Sequence, residues 1–284
     1  MEAIADFGPL IVASDLERRL GEGSLRVLDC RFDLMAPDAG REAWLAGHIP
    51  GAVFVDLDRD LAGPVTPDTG RHPLPAVANA ERMFGSAGID ANIDVVVYDG
   101  GSGGIAARAW WLLRWLGHER VALLDQGYAG WIAGGRSVES GEQRVEARSF
   151  KASVRDELVL TTTEIVDGGA ETLKLVDARD AARYRGEVEP IDPVAGHVPG
   201  ARSLPFTDNL EDGGAWKSVD AIRENIRSVV GDADEEWSVM CGSGVTACHL
   251  VVAALLAGAR EPRVYAGSWS EWIRDPDRPI AEGT

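Results

Sequence analysis

Short runs of apolar and β-branched residues recur along the chain, separated by longer stretches with a helical rhythm. Leu25–Leu28, Val95–Tyr98, Leu173–Val176 and Ser238–Met240 have the length and make-up of buried strands. Segments such as "AARAWWLLRWLG" (106–117) and "ACHLVVAALLAG" (247–258) read as buried helices. The alternation predicts an α/β architecture in which a mainly parallel sheet carries helices on both faces. Trp110, Trp111 and Trp115 fall on one helical stripe with a neighbour beside it, which predicts core packing. Ligands of such sheets bind beyond the carboxyl ends of strands. The residues directly after Tyr98 and Met240, namely Asp99 and Cys241, are therefore the positions to weigh for chemistry.

The pattern occurs twice. "LDCR" (28–31) precedes "AGHIPGA" (46–52), and "VDAR" (176–179) precedes "AGHVPGA" (195–201), with offsets of 148 and 149 residues. "VVVYDGGSGGIAARAWWLLRWLG" (95–117) aligns with "WSVMCGSGVTACHLVVAALLAG" (237–258), and "VALLDQGYAGW" with "RVYAGSWSEW". Landmarks repeated in one order mark an internal duplication, and a period this long means two domains rather than a solenoid. The polar stretch 134–149 reads as their connection. The expected division is a first domain over 1–140, a linker over 141–156 and a second domain over 157–284.

Composition narrows the function classes. The 284 residues are 45% hydrophobic and 26% charged, which suits a folded protein with a substantial core. A net charge of −18 disfavours nucleic acid and anionic membranes as partners, since both need clustered Lys and Arg. The opening residues lack the basic and apolar regions of a signal peptide, and the apolar run near 250–259 is too short to span a bilayer. Three cysteines, Cys30, Cys241 and Cys248, suit a reducing compartment, so a cytoplasmic location is expected.

Cys241 is the residue whose surroundings promise chemistry. Gly242, Ser243 and Gly244 allow the backbone to curl around the sulfur. A helix starting near Val245 or Thr246 would aim unsatisfied N–H groups at it, stabilising a thiolate or a persulfide anion. Cys248 lies inside the apolar helix and Cys30 lacks the glycine loop, so both read as core. A cysteine phosphatase would need an arginine where Ala247 stands, and the Cys241, Cys248 and His249 spacing is wrong for zinc. "GGSGG" (100–104) lacks the lysine of a phosphate loop. No metal and no cofactor are expected.

"CGSGVTA", the two "GH[IV]PGA" boxes and the duplicated layout together resemble the tandem rhodanese family, over about Ile11 to Trp272. Gly242-Ser243 after the cysteine is similar to the mercaptopyruvate-using branch; thiosulfate-using members carry a basic pair there. The resemblance implies two rhodanese-like α/β domains, the second catalytic and the first not, with Asp99 in place of its cysteine. It implies that Cys241 becomes a persulfide, and that Ser243 works with His72 ("TGRHPLP") and Asp58 ("VDLDRD") of the first domain. It places Arg183 on the substrate carboxylate, with Gly242, Gly244, Val245 and Thr246 around the transferred sulfur. The family's second arginine would fall where Ile191 stands, which leaves Arg185 as a candidate replacement. The implied partners are a small-molecule sulfur donor and a thiol acceptor, either a low-molecular-weight thiol or a thioredoxin-like protein. Thiosulfate as donor, and a non-catalytic sulfur carrier or scaffold, stay open as alternatives.

Overall fold

The computed structural model describes residues 8–283. Its contacts divide into two units: one formed up to Ala62 with Pro75–Arg155 and Gly213–Ala215, the other by Gly63–Leu74, Asp156–Asp212 and Trp216 onward.

The first unit runs β1 (Leu10–Ile11), α1 (Ala13–Arg19), β2 (Leu25–Asp29), α2 (Ala39–Ala46), β3 (Val53–Phe54), α3 (Val77–Ser86), β4 (Asp94–Tyr98), α4 (Ala106–Trp115), β5 (Val121–Leu124) and α5 (Gly127–Ala133). Its five strands form a wholly parallel sheet in the order β1-β5-β4-β2-β3. Alternate residues of a strand face opposite sides. Leu25, Val27, Val96 and Tyr98 accordingly join Leu16 of α1 and Trp131 of α5 in one core. Val95 and Val97, equally buried, take the other face, and α4 packs on β4 and β5. Trp110, Trp111 and Trp115 are all buried there, as their stripe predicted, with Trp111 and Trp115 stacked.

The second unit repeats this plan with β6 (Val159–Leu160), α6 (Thr162–Gly168), β7 (Leu175–Asp177), α7 (Ala181–Tyr184), β8 (Arg202–Ser203), α8 (Val219–Val230), β9 (Ser238–Met240), α9 (Ala247–Leu256), β10 (Arg263–Tyr265) and α10 (Ser268–Trp272). The order β6-β10-β9-β7-β8 is again wholly parallel. The strand expected from Leu173 begins at Leu175 instead, because Lys174 has a φ of 45°, outside the extended region. Residues 141–155, expected as linker, run along the first unit. Phe150 is buried against Phe84 and His118, and the N–H groups of Arg148, Ser153 and Arg155 donate to Gly85, Leu116 and Trp115 carbonyls.

The repeated motifs are explained by one buried construction. Asp29 ends β2 and accepts from the Arg31 backbone N–H and guanidinium, whose Nη2 also donates to the Gly47 carbonyl at 2.7 Å. Asp177 ends β7 and holds Arg179 in the same way, with Nη2 reaching the Gly196 carbonyl at 2.8 Å. Gly47 and Gly196 are the first glycines of the two "GH[IV]PGA" boxes. The next residue closes each box: His48 Nδ1 donates to the Trp44 carbonyl and His197 Nδ1 to that of Tyr184, each ring stacking on the same aromatic. Each guanidinium then lies over a ring from the last landmark, Arg31 over Tyr128 at 4.1 Å and Arg179 over Trp269 at 4.9 Å. "LDCR" and "VDAR" are therefore internal clamps rather than catalytic groups.

Breaking one clamp isolates a buried charge, and that loss is typically about 3–5 kcal/mol. Asp29→Ala, which also removes the acceptor of the Tyr98 hydroxyl, should show a loss of that size in urea denaturation. A change below about 1 kcal/mol would contradict the clamp, being no more than an exposed pair contributes.

Candidate active site

β9 is buried between β7 and β10 and delivers Cys241, 2% exposed, at its carboxyl end. The loop after it is held against the start of α10. The Cys241 N–H donates to Ser268 Oγ at 3.0 Å, while the Trp269 and Ser270 N–H groups donate to the Cys241 and Gly242 carbonyls at 3.0 and 2.9 Å. Gly244 has a φ of +74°, and a Cβ there would stand 2.2 Å from the Ala266 carbonyl oxygen. Only glycine fits. Ser268 also has a positive φ, 54°, a strained state for a residue with a Cβ. Its hydroxyl donates to the Tyr265 carbonyl while accepting from Cys241, and this double use fixes the strand end.

The first unit shows what this loop geometry does for a negative charge. Asp99, at the matching end of β4, directs its carboxylate into its own loop. Oδ1 accepts from the Gly101 and Gly103 N–H groups at 2.9 Å, and Oδ2 from those of Ile105 and Ala106 at 2.9 and 3.2 Å. Four backbone donors converge on one anion, the arrangement expected of a loop leading into a helix. In the second unit the corresponding position carries sulfur. The other two thiols lack this setting. Burial first, then the charges of Asp29, Asp99 and Asp60, push the Cys30 thiol well above its ordinary range, and Cys248 lies within α9 with its Sγ–H toward the Gly244 carbonyl.

Facing the loop is the segment Gly63–Leu74. Gly70 lies so close to α10 that a Cβ would be 2.5 Å from the Gly267 carbonyl oxygen; the Arg71 N–H donates to Ser270 Oγ and Arg274 donates to the Thr69 carbonyl. This places His72 Nδ1 2.8 Å from Ser243 Oγ, both side chains buried. It also brings a guanidinium to the loop: a Cβ on Gly242 would lie 3.0 Å from Arg71 Nη2 and 3.5 Å from Arg183 Nη2. Two guanidiniums thus stand side by side over the residue after the cysteine.

Carboxylates hold them there. Arg183 donates to Glu189 at 2.8 Å and to Asp192 at 3.3 Å, and Asp192 also pairs with Arg71. Glu189, 4% exposed, accepts from the Ile191 and Asp192 N–H groups as well. Burial opposes its charge, but the Arg183 and backbone hydrogen bonds prevail and hold its carboxyl below the usual range. Asp192 goes the other way, because burial outweighs Arg71 and pushes its carboxyl up. Arg179 is 1% exposed; burial works against its charge, yet Asp177, Glu189 and the sulfur of Cys241 keep it raised.

Of the residues expected from the sequence, Cys241, Gly242, Ser243, Gly244, His72 and Arg183 come together. Val245 is buried in the same loop, and Thr246 precedes the first turn of α9. Arg185 does not join them: it is at the end of α7 and pairs with Glu187 at the surface. Ile191 is exposed and contributes only its N–H to Glu189. The guanidinium beside Arg183 is Arg71, a residue that sequence reasoning passed over although it directly precedes His72. Asp58 comes after β3 in the first unit, where its N–H donates to Asp56 Oδ1. Trp269 and Trp272 are buried in the core of the second unit. Among the described residues no cluster of three or more His, Cys, Asp or Glu could hold a metal ion, and no helix is long and apolar enough to cross a membrane.

Comparison with known proteins agrees with this architecture. The rhodanese-like domain model matches residues 12–134 and again 162–275. The chain belongs to the rhodanese family and carries its domain twice. It is 46% identical, over 96% of its length and 98% of the relative's, to a probable 3-mercaptopyruvate sulfurtransferase of Pseudomonas aeruginosa. It is 38% identical to a putative thiosulfate sulfurtransferase of Mycobacterium tuberculosis, over 97% of both chains. Among solved structures it resembles the 3-mercaptopyruvate sulfurtransferase of Leishmania major, with a TM-score of 0.83 and 31% identity over 95% of this chain and 76% of that one.

Because the Gly244 contact is with backbone that cannot yield easily, Gly244→Ala should displace the loop and cost about 2 kcal/mol or more. Denaturation together with the alkylation rate of Cys241 measures both effects. Unchanged stability and an unchanged rate would show that the loop tolerates a Cβ.

Proposed function

We propose that the chain is a sulfurtransferase that takes sulfur from 3-mercaptopyruvate, carries it as a Cys241 persulfide and passes it to a thiol acceptor. The observation that carries the reading is the pair Arg71 and Arg183 over Gly242. Planar two-pronged donors suit a carboxylate, and this pair adjoins the only described cysteine seated in a glycine loop at a strand end. The names of the relatives point the same way.

In this reading the Cys241 thiolate attacks the sulfur of the donor. The new S–S bond forms as the donor's C–S bond breaks, and that electron pair leaves as the enolate of pyruvate, which takes a proton to become pyruvate. The two guanidiniums hold the donor carboxylate. Ser243, bonded to His72, hydrogen-bonds the carbonyl oxygen, on which charge grows as the C–S bond breaks. Loop N–H groups take the charge of the sulfur, as Asp99 illustrates in the sister loop. An acceptor thiolate then attacks the outer sulfur, leaving with it and restoring Cys241. The acceptor in this reading is a low-molecular-weight thiol or a thioredoxin-like protein of the cytoplasm. Asp58 enters through the family resemblance alone, and Asp58→Asn is the variant that tests it. Thiosulfate as donor is the second reading, favoured by the name of the Mycobacterium tuberculosis relative.

Pyruvate release from mercaptopyruvate should be abolished in Cys241→Ser with the fold retained; persistent turnover would refute the nucleophile. Arg71→Gln and Arg183→Gln should each raise KM by roughly tenfold or more, since a charge-assisted hydrogen bond is worth about 1.5–3 kcal/mol. A KM unchanged in both variants would remove the carboxylate site.

A further inference from the structure

The guanidiniums over Gly242 do not present two free positive charges. Asp192 has its carboxylate 3% exposed and shared between them, one oxygen to Arg71 and the other to Arg183. Glu189 lies behind, joined to Arg183 and Arg179, and Arg179 is already answered by Asp177. Three guanidiniums are therefore matched by three buried carboxylates, and every one of these carboxylates is in direct contact with an arginine. Glu189 and Asp177 are occupied with structural duties: Glu189 caps the N–H groups of Ile191 and Asp192, and Asp177 clamps Arg179 to the "GHVPGA" box. Asp192 is different, because it touches both of the arginines that face the loop.

This matters for which donor is accepted. A pocket of low dielectric magnifies each uncompensated charge, and specificity between ligands is a difference that repulsion can set as well as attraction. Mercaptopyruvate presents one carboxylate to the arginine pair, whereas thiosulfate brings two negative charges. With Glu189 on Arg183, Asp177 on Arg179 and Asp192 between Arg71 and Arg183, the pair offers directed donors to an incoming anion but no surplus positive charge. The second charge of a dianion would meet the Asp192 carboxylate unopposed.

We infer that Asp192 sets donor choice, its carboxylate trimming the Arg71–Arg183 pair to accept a singly charged sulfur donor and to discriminate against a dianion. The inference deepens the sulfurtransferase reading and rests on it for the identity of the donors. It also accounts for the exposed Ile191: the selective element of this loop is its acidic neighbour, and the second arginine is supplied by Arg71 from another segment.

The test uses the intact chain and Asp192→Asn, which keeps the shape and one accepting oxygen while removing the charge. kcat/KM is measured with mercaptopyruvate and with thiosulfate, and the thiosulfate-to-mercaptopyruvate ratio should rise by about tenfold or more in the variant, equivalent to about 1.4 kcal/mol. A lost hydrogen bond or loosened loop would lower both donors together and leave the ratio unmoved, and an unmoved or falling ratio overturns the inference. A binding measurement needs no turnover: by calorimetry, the unsubstituted protein should bind pyruvate more tightly than sulfate, and Asp192→Asn should narrow or invert that order. Sulfate bound more tightly by the unsubstituted protein overturns the inference even if the variant does not fold. If neither donor is turned over, the sulfurtransferase reading fails, while the order of the two anions still decides the role of Asp192.

Discussion

Everything at the second strand end depends on the buried pair of Asp177 and Arg179. A guanidinium that is 1% exposed is tolerated only because its donors are taken up: the aspartate, the Gly196 carbonyl and Glu189, with the Trp269 ring beneath. That single group joins the end of β7, the "GHVPGA" box, the start of α10 and the carboxylate that holds Arg183. The loop of Cys241 hangs on the same α10, through the hydroxyl of Ser268 and the N–H groups of Trp269 and Ser270. Scaffold and chemistry are thus parts of one connected network.

The duplication shows which parts of that network are general. Both units keep the clamp, the histidine stacked in its box and the ring beneath the arginine. They part at the end of the central strand. Asp99 fills its own N–H cradle with its carboxylate, so the loop is complete in itself. At the same place the second unit carries the buried thiol of Cys241, which the proposed reaction uses as its nucleophile. A carboxylate that takes up its loop's N–H groups makes a self-contained loop, whereas in the proposed function the matching strand end, bearing sulfur, carries the reaction.

Much of this was legible in the residues. The strand runs, the two copies, the parallel sheets and the glycine-framed cysteine come from periodicity and repeated landmarks. So does the contrast between Cys241 and the core thiols Cys30 and Cys248. Arg71, Asp192 and Ser268 were not legible, for a common reason. Residues 63–74, "GPVTPDTGRHPL", have no periodicity that states where they pack; the close approach of Gly70 to Gly267 and the hydrogen bonds of Arg71 and Thr69 to Ser270 and Arg274 carry Arg71 to the loop. Asp192 gains its meaning from that approach. Ser268 sits where the first copy has Gly127, so its strained φ was hidden behind a residue type with no such preference. Arg185, nearer in sequence to Arg183, looked the better second arginine, but the end of α7 turns it to Glu187 and solvent.

The central claim is that sulfur rests on Cys241 between two half-reactions. The most direct measurement is a single exposure of the reduced protein to 3-mercaptopyruvate without any acceptor, with peptide mass spectrometry and a count of the pyruvate released. The account predicts one added sulfur atom on the Cys241 peptide, none on the Cys30 or Cys248 peptides, and one pyruvate for each chain. Pyruvate released in excess with no sulfur retained, or sulfur carried on another cysteine, would contradict it.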